Sequence, residues 1–118
     1  MTILDIVKLL DCEIISGDQN LILSITKVYA GDLMSDILTR PNPGALLLSG
    51  LVSSQVARTS KIANLGAIVF VRGKKPTKET KRLAEQYKIP LLVTKLSMFE
   101  ACGILFSNNF ESAFTKRV

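Results

Sequence analysis

The chain has 118 residues, of which 47% are hydrophobic and 21% are charged, and its formal net charge is +5. This composition is typical of a globular protein with one hydrophobic core, and we expect a single domain over residues 1–118. The absence of histidine excludes His-based catalytic triads and His-ligated metal sites, and two cysteines are too few for a cysteine-rich zinc site.

The N-terminal sequence and the apolar runs predict a cytoplasmic protein. Residues 1–10 lack the basic start and the cleavage site of a signal peptide. The longest apolar runs, such as residues 65–71, are too short to cross a bilayer. We therefore expect no association with a membrane.

The first half of the chain predicts short elements. Thr2, followed three residues later by Asp5, is typical of a capping box, and apolar residues at helical spacing then predict a helix over 3–10. The other predicted elements are a strand over 13–16, an alternating strand over 21–28 and a short helix from a cap at Ser35 to Leu38.

The second half predicts strands and helices in strict alternation. The strands are predicted over 45–48, 67–71 and 91–94, and the helices over 54–65, 76–88 and 97–107. Alternation of this kind indicates an α/β domain with three layers and a mostly parallel central sheet.

The tail, residues 108–118, has no assigned element. If it were helical, Phe106, Phe110 and Phe114 would form one apolar stripe, which would serve either core packing or a dimer surface.

Polar residues collect where the predicted parallel strands end, which is where ligands bind in sheets of this type. The candidate ligand-binding residues there are Ser49, Gly50, Ser53, Arg72, Gly73, Thr94 and Ser97. Hydroxyls, flexible backbone and an arginine beside helix N-termini suit a phosphate or another anion. The alternative is that the serines cap helices and that residues 72–76 form a plain turn with exposed lysines.

Two acidic residues, Asp32 and Asp36, are four residues apart, a spacing that places both on one side of a helix. Such a pair can bind a divalent cation, but a cap or turn residue at 32 and a solvated carboxylate at 36 are the favoured interpretation. We retain Asp32 as a candidate ligand-binding residue and predict no metal site. Among the thiols, Cys102 is expected to be buried and Cys12 to be more exposed.

The charge is unevenly distributed along the chain. Residues 72–95 carry eight Lys or Arg against two Glu, whereas residues 1–36 carry two Lys against six Asp or Glu. A basic segment attracts phosphates, but no aromatic residues interleave with these cations as they do in single-strand binders. A solvated helix face is the simpler interpretation, and we do not expect nucleic-acid binding.

Four segments, residues 29–38, 66–76, 89–94 and 97–101, together resemble the DRTGG-domain family in order and spacing. The likeness covers most of residues 1–106. The Asp-Arg-Thr of the family name is absent, and Arg72-Gly73 is what remains of its Gly-Gly element.

The resemblance implies a domain similar to the N-terminal domain of HPr kinase/phosphorylase. Within pyrophosphatases such domains are regulatory rather than catalytic, lie at a dimer interface and help to bind adenine dinucleotides. The sequence lacks the glycine-rich phosphate loop of a kinase. We therefore expect a non-catalytic regulatory module without a cofactor, a homodimer that binds an adenine nucleotide or a similar phosphate ligand and modulates a protein partner. The alternative is an adaptor subunit without a small ligand, for example in a redox or hydrogenase system.

Overall fold

A computed structural model describes residues 1–114 of the chain. In chain order its elements are α1 (Ile3–Leu10), β1 (Glu13–Ser16), a 3-10 turn (Asp18–Asn20), β2 (Lys27–Ala30), α2 (Met34–Thr39), β3 (Leu46–Ser49), α3 (Ser54–Ile62), β4 (Ala67–Phe70), α4 (Lys78–Tyr87), β5 (Leu91–Val93), α5 (Met98–Ser107) and β6 (Glu111–Ser112).

The strands form one mixed sheet in the order β1-β5-β4-β3-β2-β6. Strands β2 to β5 are parallel, β6 runs parallel to β2, and β1 closes the other side antiparallel to β5. The predicted α/β class with a mostly parallel central sheet is confirmed.

Helices cover both faces of the sheet, because the central strands are apolar on both sides. Along β4, Val69 belongs to the core beneath α1 and α5, whereas Ile68 and Phe70 belong to the core beneath α2, α3 and α4. All three side chains are fully buried. The result is the three-layer arrangement that the alternation of elements predicted.

The helix that begins the chain starts where its capping signal predicted. The Thr2 side chain accepts a hydrogen bond from the Asp5 backbone N–H, and the Asp5 carboxylate accepts one from the Thr2 N–H at 2.8 Å. A second capping box joins Ser97 and Glu100 at the start of α5. Both boxes satisfy N–H groups that an isolated helix would leave without partners.

The predicted strand over 21–28 is wrong in its first six residues, because β2 begins only at Lys27. The carbonyl groups of Leu21 and Leu23 instead accept hydrogen bonds from Leu4 and Ile3, the first backbone donors of α1. The carbonyl groups of this segment therefore accept hydrogen bonds from the free N–H groups at the start of α1 and do not pair with a strand of the sheet. Ile22 consequently remains 81% exposed.

The cap predicted at Ser35 is also misplaced. The helix starts at Met34, and its N-cap residue is Leu33, which makes no side-chain capping bond. Ser35 therefore lies inside the first turn.

The C-terminal phenylalanines do not form one stripe, because α5 ends at Ser107 and the chain turns back toward the sheet. Phe106 is 80% exposed, while Phe110 is 6% exposed and packs in the core beneath α5. Phe114 meets the Tyr29 ring edge-on, with ring centroids 4.8 Å apart. Residues 115–118 of the unassigned tail lie outside the described residues.

Candidate functional site

The loops that follow β2, β3, β4 and β5 lie side by side at the end of the sheet that we call the carboxyl edge. Hydrogen bonds join each loop to the next: Gly50 N–H donates to the Asp32 carboxylate at 2.8 Å, Val71 N–H to the Ser49 carbonyl at 3.0 Å, and Gly73 N–H to the Thr94 carbonyl at 2.8 Å. The tertiary structure thus brings the sequence-predicted residues to one edge.

Asp32 and Gly50 form the junction between the first two loops. A side-chain Cβ at Gly50 would lie 3.4 Å from one Asp32 carboxylate oxygen, an ordinary van der Waals distance, so the approach of Asp32 does not by itself require a glycine. Asp32 and Asp36 also line a small cleft of about 100 Å³ beside Tyr29. Within residues 1–114 no group of three His, Cys, Asp or Glu side chains is placed to hold a metal ion.

Three of the candidate hydroxyls are already bonded within the protein. Ser49 Oγ is buried and both donates to the Leu51 carbonyl and accepts from the Leu51 N–H, each at 2.9 Å. Thr94 Oγ1 is buried and donates to the Leu10 carbonyl at 2.6 Å. Ser97 caps α5. These three side chains shape the loops at the carboxyl edge.

Ser53 differs from these hydroxyls, because it is the N-cap residue of α3 and its side chain makes no capping bond. The first-turn N–H groups of α3 therefore lack the side-chain acceptor that Ser97 supplies to α5. An uncapped helix start attracts anions, since the N–H groups and the helix dipole both favour negative charge. The sequence left open whether Ser53 or Ser54 was the cap, and the structure assigns it to Ser53.

Arg72 and Gly73 make the turn after β4, and both adopt left-handed backbone conformations, with φ values of 58° and 67°. Arg72 N–H donates to the Leu96 carbonyl at 2.8 Å, which ties the turn to the loop after β5. The Arg72 side chain is exposed, and its guanidinium has no partner among residues 1–114. It is therefore free to contact a ligand.

Two other cations near this end are engaged by carboxylates, whereas Lys74 and Lys95, which are also exposed, have no ion pair among residues 1–114. Lys75 Nζ lies 2.5 Å from a Glu13 carboxylate oxygen, and Arg58 lies 3.4 Å from Glu79. Arg58 also donates to Ser54 Oγ at 2.8 Å, in the first turn of α3. Arg58 escaped the sequence analysis because nothing in its local sequence shows that the helix start has no cap.

The two thiols lie in similar environments. Cys12 and Cys102 are both partly buried, so the expected contrast between an exposed and a buried cysteine is wrong. Burial raises the pKa of Cys12 to about 12, and it also raises the pKa of Cys102. Both side chains are therefore protonated near neutral pH, a state that disfavours thiolate chemistry.

A second, apolar concavity lies on the opposite face from α4, between α5 and the strands β2 and β6. Its volume is about 400 Å³. We call it the α5 groove, and its lining includes Val28, Ala30, Phe99, Cys102, Phe106 and Phe110. The sequence analysis left open whether Phe106 and Phe110 pack in the core or form a dimer surface, and it did not identify the groove. In the part of the chain that the structure describes, no helix is long and apolar enough to cross a membrane.

Comparison with solved structures shows that the fold is a known one. The chain superposes with a TM-score of 0.72 and 15% identity on the crystal structure of the CBS and DRTGG domains of the regulatory region of Clostridium perfringens pyrophosphatase, complexed with the activator diadenosine tetraphosphate.

The alignment covers 88% of this chain and 45% of that one, so the chain spans less than half of the regulatory region. No protein-family model matches the sequence, and no curated protein matches it either. The fold is thus shared with part of that regulatory region.

Proposed function

We propose that the chain is a non-catalytic regulatory module of the DRTGG type, which binds an adenine nucleotide or a similar phosphate ligand at the carboxyl edge. The module acts as a homodimer and changes the behaviour of a protein partner. The ligand site comprises Arg72 and Gly73, the Ser53 start of α3 and the loop at Gly50 that Asp32 holds.

The observation that carries the proposal is that, among residues 1–114, one edge holds both an arginine without a partner and a helix start without a side-chain cap. Arg72 supplies a permanent positive charge on an exposed turn. The first turn of α3 supplies N–H donors that no side chain satisfies. A phosphate group complements both features, because it is anionic and accepts several hydrogen bonds at once.

The structural neighbour supports the choice of ligand class. That regulatory region was crystallised with diadenosine tetraphosphate as its activator. The ligand joins two adenosines through a chain of phosphates, so a basic, donor-rich edge is suited to part of it. The Ser49, Thr94 and Ser97 hydroxyls position the loops in this proposal, and Ser53 is the hydroxyl that faces a ligand.

The first test is a thermal-denaturation series with AMP, ADP, ATP and diadenosine tetraphosphate, each with and without Mg²⁺. A ligand at 100 times its dissociation constant stabilises the folded state by about 2.7 kcal/mol. For a domain of this size we expect the midpoint to rise by roughly 5 °C or more. Inorganic phosphate at the same concentration separates a nucleotide site from a general anion effect.

The decisive variant is Arg72→Asn, since Asn tolerates a left-handed backbone and removes the charge. Losing a charged hydrogen bond should raise the nucleotide dissociation constant about 10- to 100-fold. Lys88→Asn is the matched control, because Lys88 is also a left-handed, exposed cation (φ 61°) but lies before β5, at the opposite end of the sheet. An equal loss of nucleotide affinity in both variants would show that the affinity depends on net charge and not on the position of Arg72.

An adaptor subunit without a small ligand is the second candidate function. The exposed apolar lining of the α5 groove favours it, since surfaces of this kind mark sites of protein association. The absence of a thermal shift with every nucleotide would remove the ligand proposal and leave the adaptor as the better explanation.

A further inference from the structure

The outer surface of α5 is apolar where a helix on the surface of a monomer is normally polar. Four residues at i, i+3, i+4 and i+7 share this face: Phe99, Cys102, Gly103 and Phe106. We call them the α5 stripe. Phe99 is 87% exposed and Phe106 is 80% exposed, while Ala101 and Leu105 on the inner side are buried against the sheet. A helix with apolar residues on two opposite sides is normally buried on both of them.

The pattern of the stripe is symmetric under reversal of the chain direction. A twofold axis passing between residues 102 and 103 would place Phe99 of one copy against Phe106 of the other, and Cys102 against Gly103. Large side chains then stand at both ends and small ones at the centre. A twofold contact between identical subunits needs this self-complementarity, because the same patch supplies both sides.

Gly103 is the central feature of the stripe. A Cβ at Gly103 would meet no atom within 4 Å, so the fold of one copy does not require a glycine there. Glycine within a helix costs roughly 0.5–1 kcal/mol relative to alanine. A second helix that packs closely against this position would use the missing side chain.

The distribution of charge also favours a second copy on this face. Residues 96–114 contain no Lys or Arg, although the chain as a whole is basic. The cations of α4 lie in the opposite layer, beyond the sheet. Two copies joined through α5 therefore keep their basic helices apart. The exposed parts of the two phenylalanines contribute roughly 300 Å² per copy, and a standard interface buries about 800 Å² per partner, so the surface of this layer around the stripe would have to supply the rest.

We infer that the α5 stripe and the adjoining α5 groove form an isologous dimer interface in which the two α5 helices run antiparallel. This inference names the surface of the homodimer, and so it rests on that part of the proposed function. It does not depend on nucleotide binding, because the carboxyl edge is built from different residues.

The test exploits the predicted register by means of two complementary charge variants. Phe99→Lys alone and Phe106→Glu alone each place an unpaired charge against a phenylalanine, and sedimentation equilibrium should show a dissociation constant raised at least about 100-fold. An equimolar mixture of the two should form a heterodimer, because the introduced lysine of one variant then faces the introduced glutamate of the other across the interface. Both positions are exposed in one copy, so each variant should retain the thermal midpoint of a monomer.

Two further variants serve as controls for the interface. Ile62→Lys introduces the same charge at a position that is 69% exposed on α3, in the opposite layer, and should remain a dimer. A short bismaleimide should cross-link the wild type and Cys12→Ser but not Cys102→Ser, because Cys102 lies next to the axis.

The outcomes distinguish this inference from the homodimer itself. A wild-type dimer that both charge variants leave intact would overturn the α5 interface and keep a homodimer through another surface. Loss of the dimer in both variants without recovery in the mixture would overturn the antiparallel register. A monomeric wild type would overturn the interface and the homodimer together, while the thermal-denaturation series still tests the ligand site.

Discussion

Arg72 occupies a backbone conformation that a residue with a Cβ adopts at a cost of about 1–2 kcal/mol. Its N–H bonds the Leu96 carbonyl, but its side chain bonds nothing among residues 1–114. Gly73, the next residue, is also left-handed. A glycine at position 72 would form the same turn with less strain, so the turn itself does not require the arginine side chain.

At the residue scale, we predict that Arg72→Gly stabilises the protein while it weakens nucleotide binding. Relief of strain exceeds the extra flexibility that glycine gives the unfolded chain, so the free energy of unfolding should rise by about 0.5–1 kcal/mol. Lys88→Gly should give a similar gain in urea denaturation with no effect on nucleotide affinity. A lower stability in Arg72→Gly would show that the arginine side chain supports the fold.

The helices differ in whether a side chain accepts hydrogen bonds from the N–H groups of their first turn. Thr2 and Ser97 each join a carboxylate in a capping box, and hydrogen bonding to these residues lowers the pKa of Asp5 and of Glu100. Ser53 provides no such bond to α3. The N-termini of α1 and α5, which share one layer, are thus capped by side chains. The N-terminus of α3, at the proposed ligand site, receives no capping bond from its N-cap side chain.

At the element scale, we predict an acid-sensitive contribution from Glu100. Its pKa is lowered in the folded state, so its carboxylate stabilises the fold above the unfolded pKa of about 4.3, and this stabilisation is lost as the pH falls through the folded pKa. Glu100→Gln should therefore be less stable than the wild type at pH 7, and the difference should shrink progressively as the pH falls below the unfolded pKa of about 4.3.

The measurement is urea denaturation of both proteins across that pH range. Glu85→Gln is the control, since Glu85 is an exposed carboxylate in the last half of α4, outside any capping box. A difference for Glu100→Gln that stays constant with pH would mean that the charge of Glu100 plays no part.

The C-terminal segment completes both the sheet and one core. After α5 the chain buries Phe110, and Ala113 N–H donates to the Val28 carbonyl at 2.8 Å beside β6. Lys27 on β2 and Glu111 on β6 also form an ion pair at 3.0 Å. These contacts join distant parts of the sequence, so residues 110–113 belong to the fold of the whole molecule.

At the scale of the whole molecule, we predict that Phe110→Ala lowers the free energy of unfolding by about 3–5 kcal/mol, because it opens a cavity beneath α5. Ile62→Ala removes an exposed apolar side chain and should change stability by less than about 0.5 kcal/mol. Chemical denaturation measures both. A small effect at Phe110 would mean that the C-terminal segment is not part of the cooperative core.

Local signals predicted most of the elements, since each signal acts within a few residues. The capping box at Thr2 marked the start of α1, and the apolar run at residues 67–71 marked β4. The failures have long-range causes. Residues 21–25 alternate like a strand but bond to the first turn of α1, and the end of α5 separates Phe106 from Phe110.

Some features of the candidate site could likewise be predicted from the sequence, and others could not. The sequence identified Arg72, Gly73 and the serines as residues that follow strands, and parallel pairing is enough to bring them to one edge. It could not show that Ser49 and Thr94 use their hydroxyls within the fold, or that Ser53 leaves α3 uncapped. The Thr94 bond joins a carbonyl 84 residues away, whereas the Ser49 bonds join Leu51 only two residues on and depend on the conformation of that loop.

By itself, the sequence determined the α/β class, most of the helix starts and the set of polar strand ends, because periodicity and capping depend on near neighbours along the chain. The tertiary structure alone decided which polar groups remain free and which apolar groups remain exposed. Among the described residues, Arg72 is unpaired and the α5 stripe is uncovered because of where the other loops and helices lie. Burial and pairing are properties of the packed chain, and they arise only when distant segments meet.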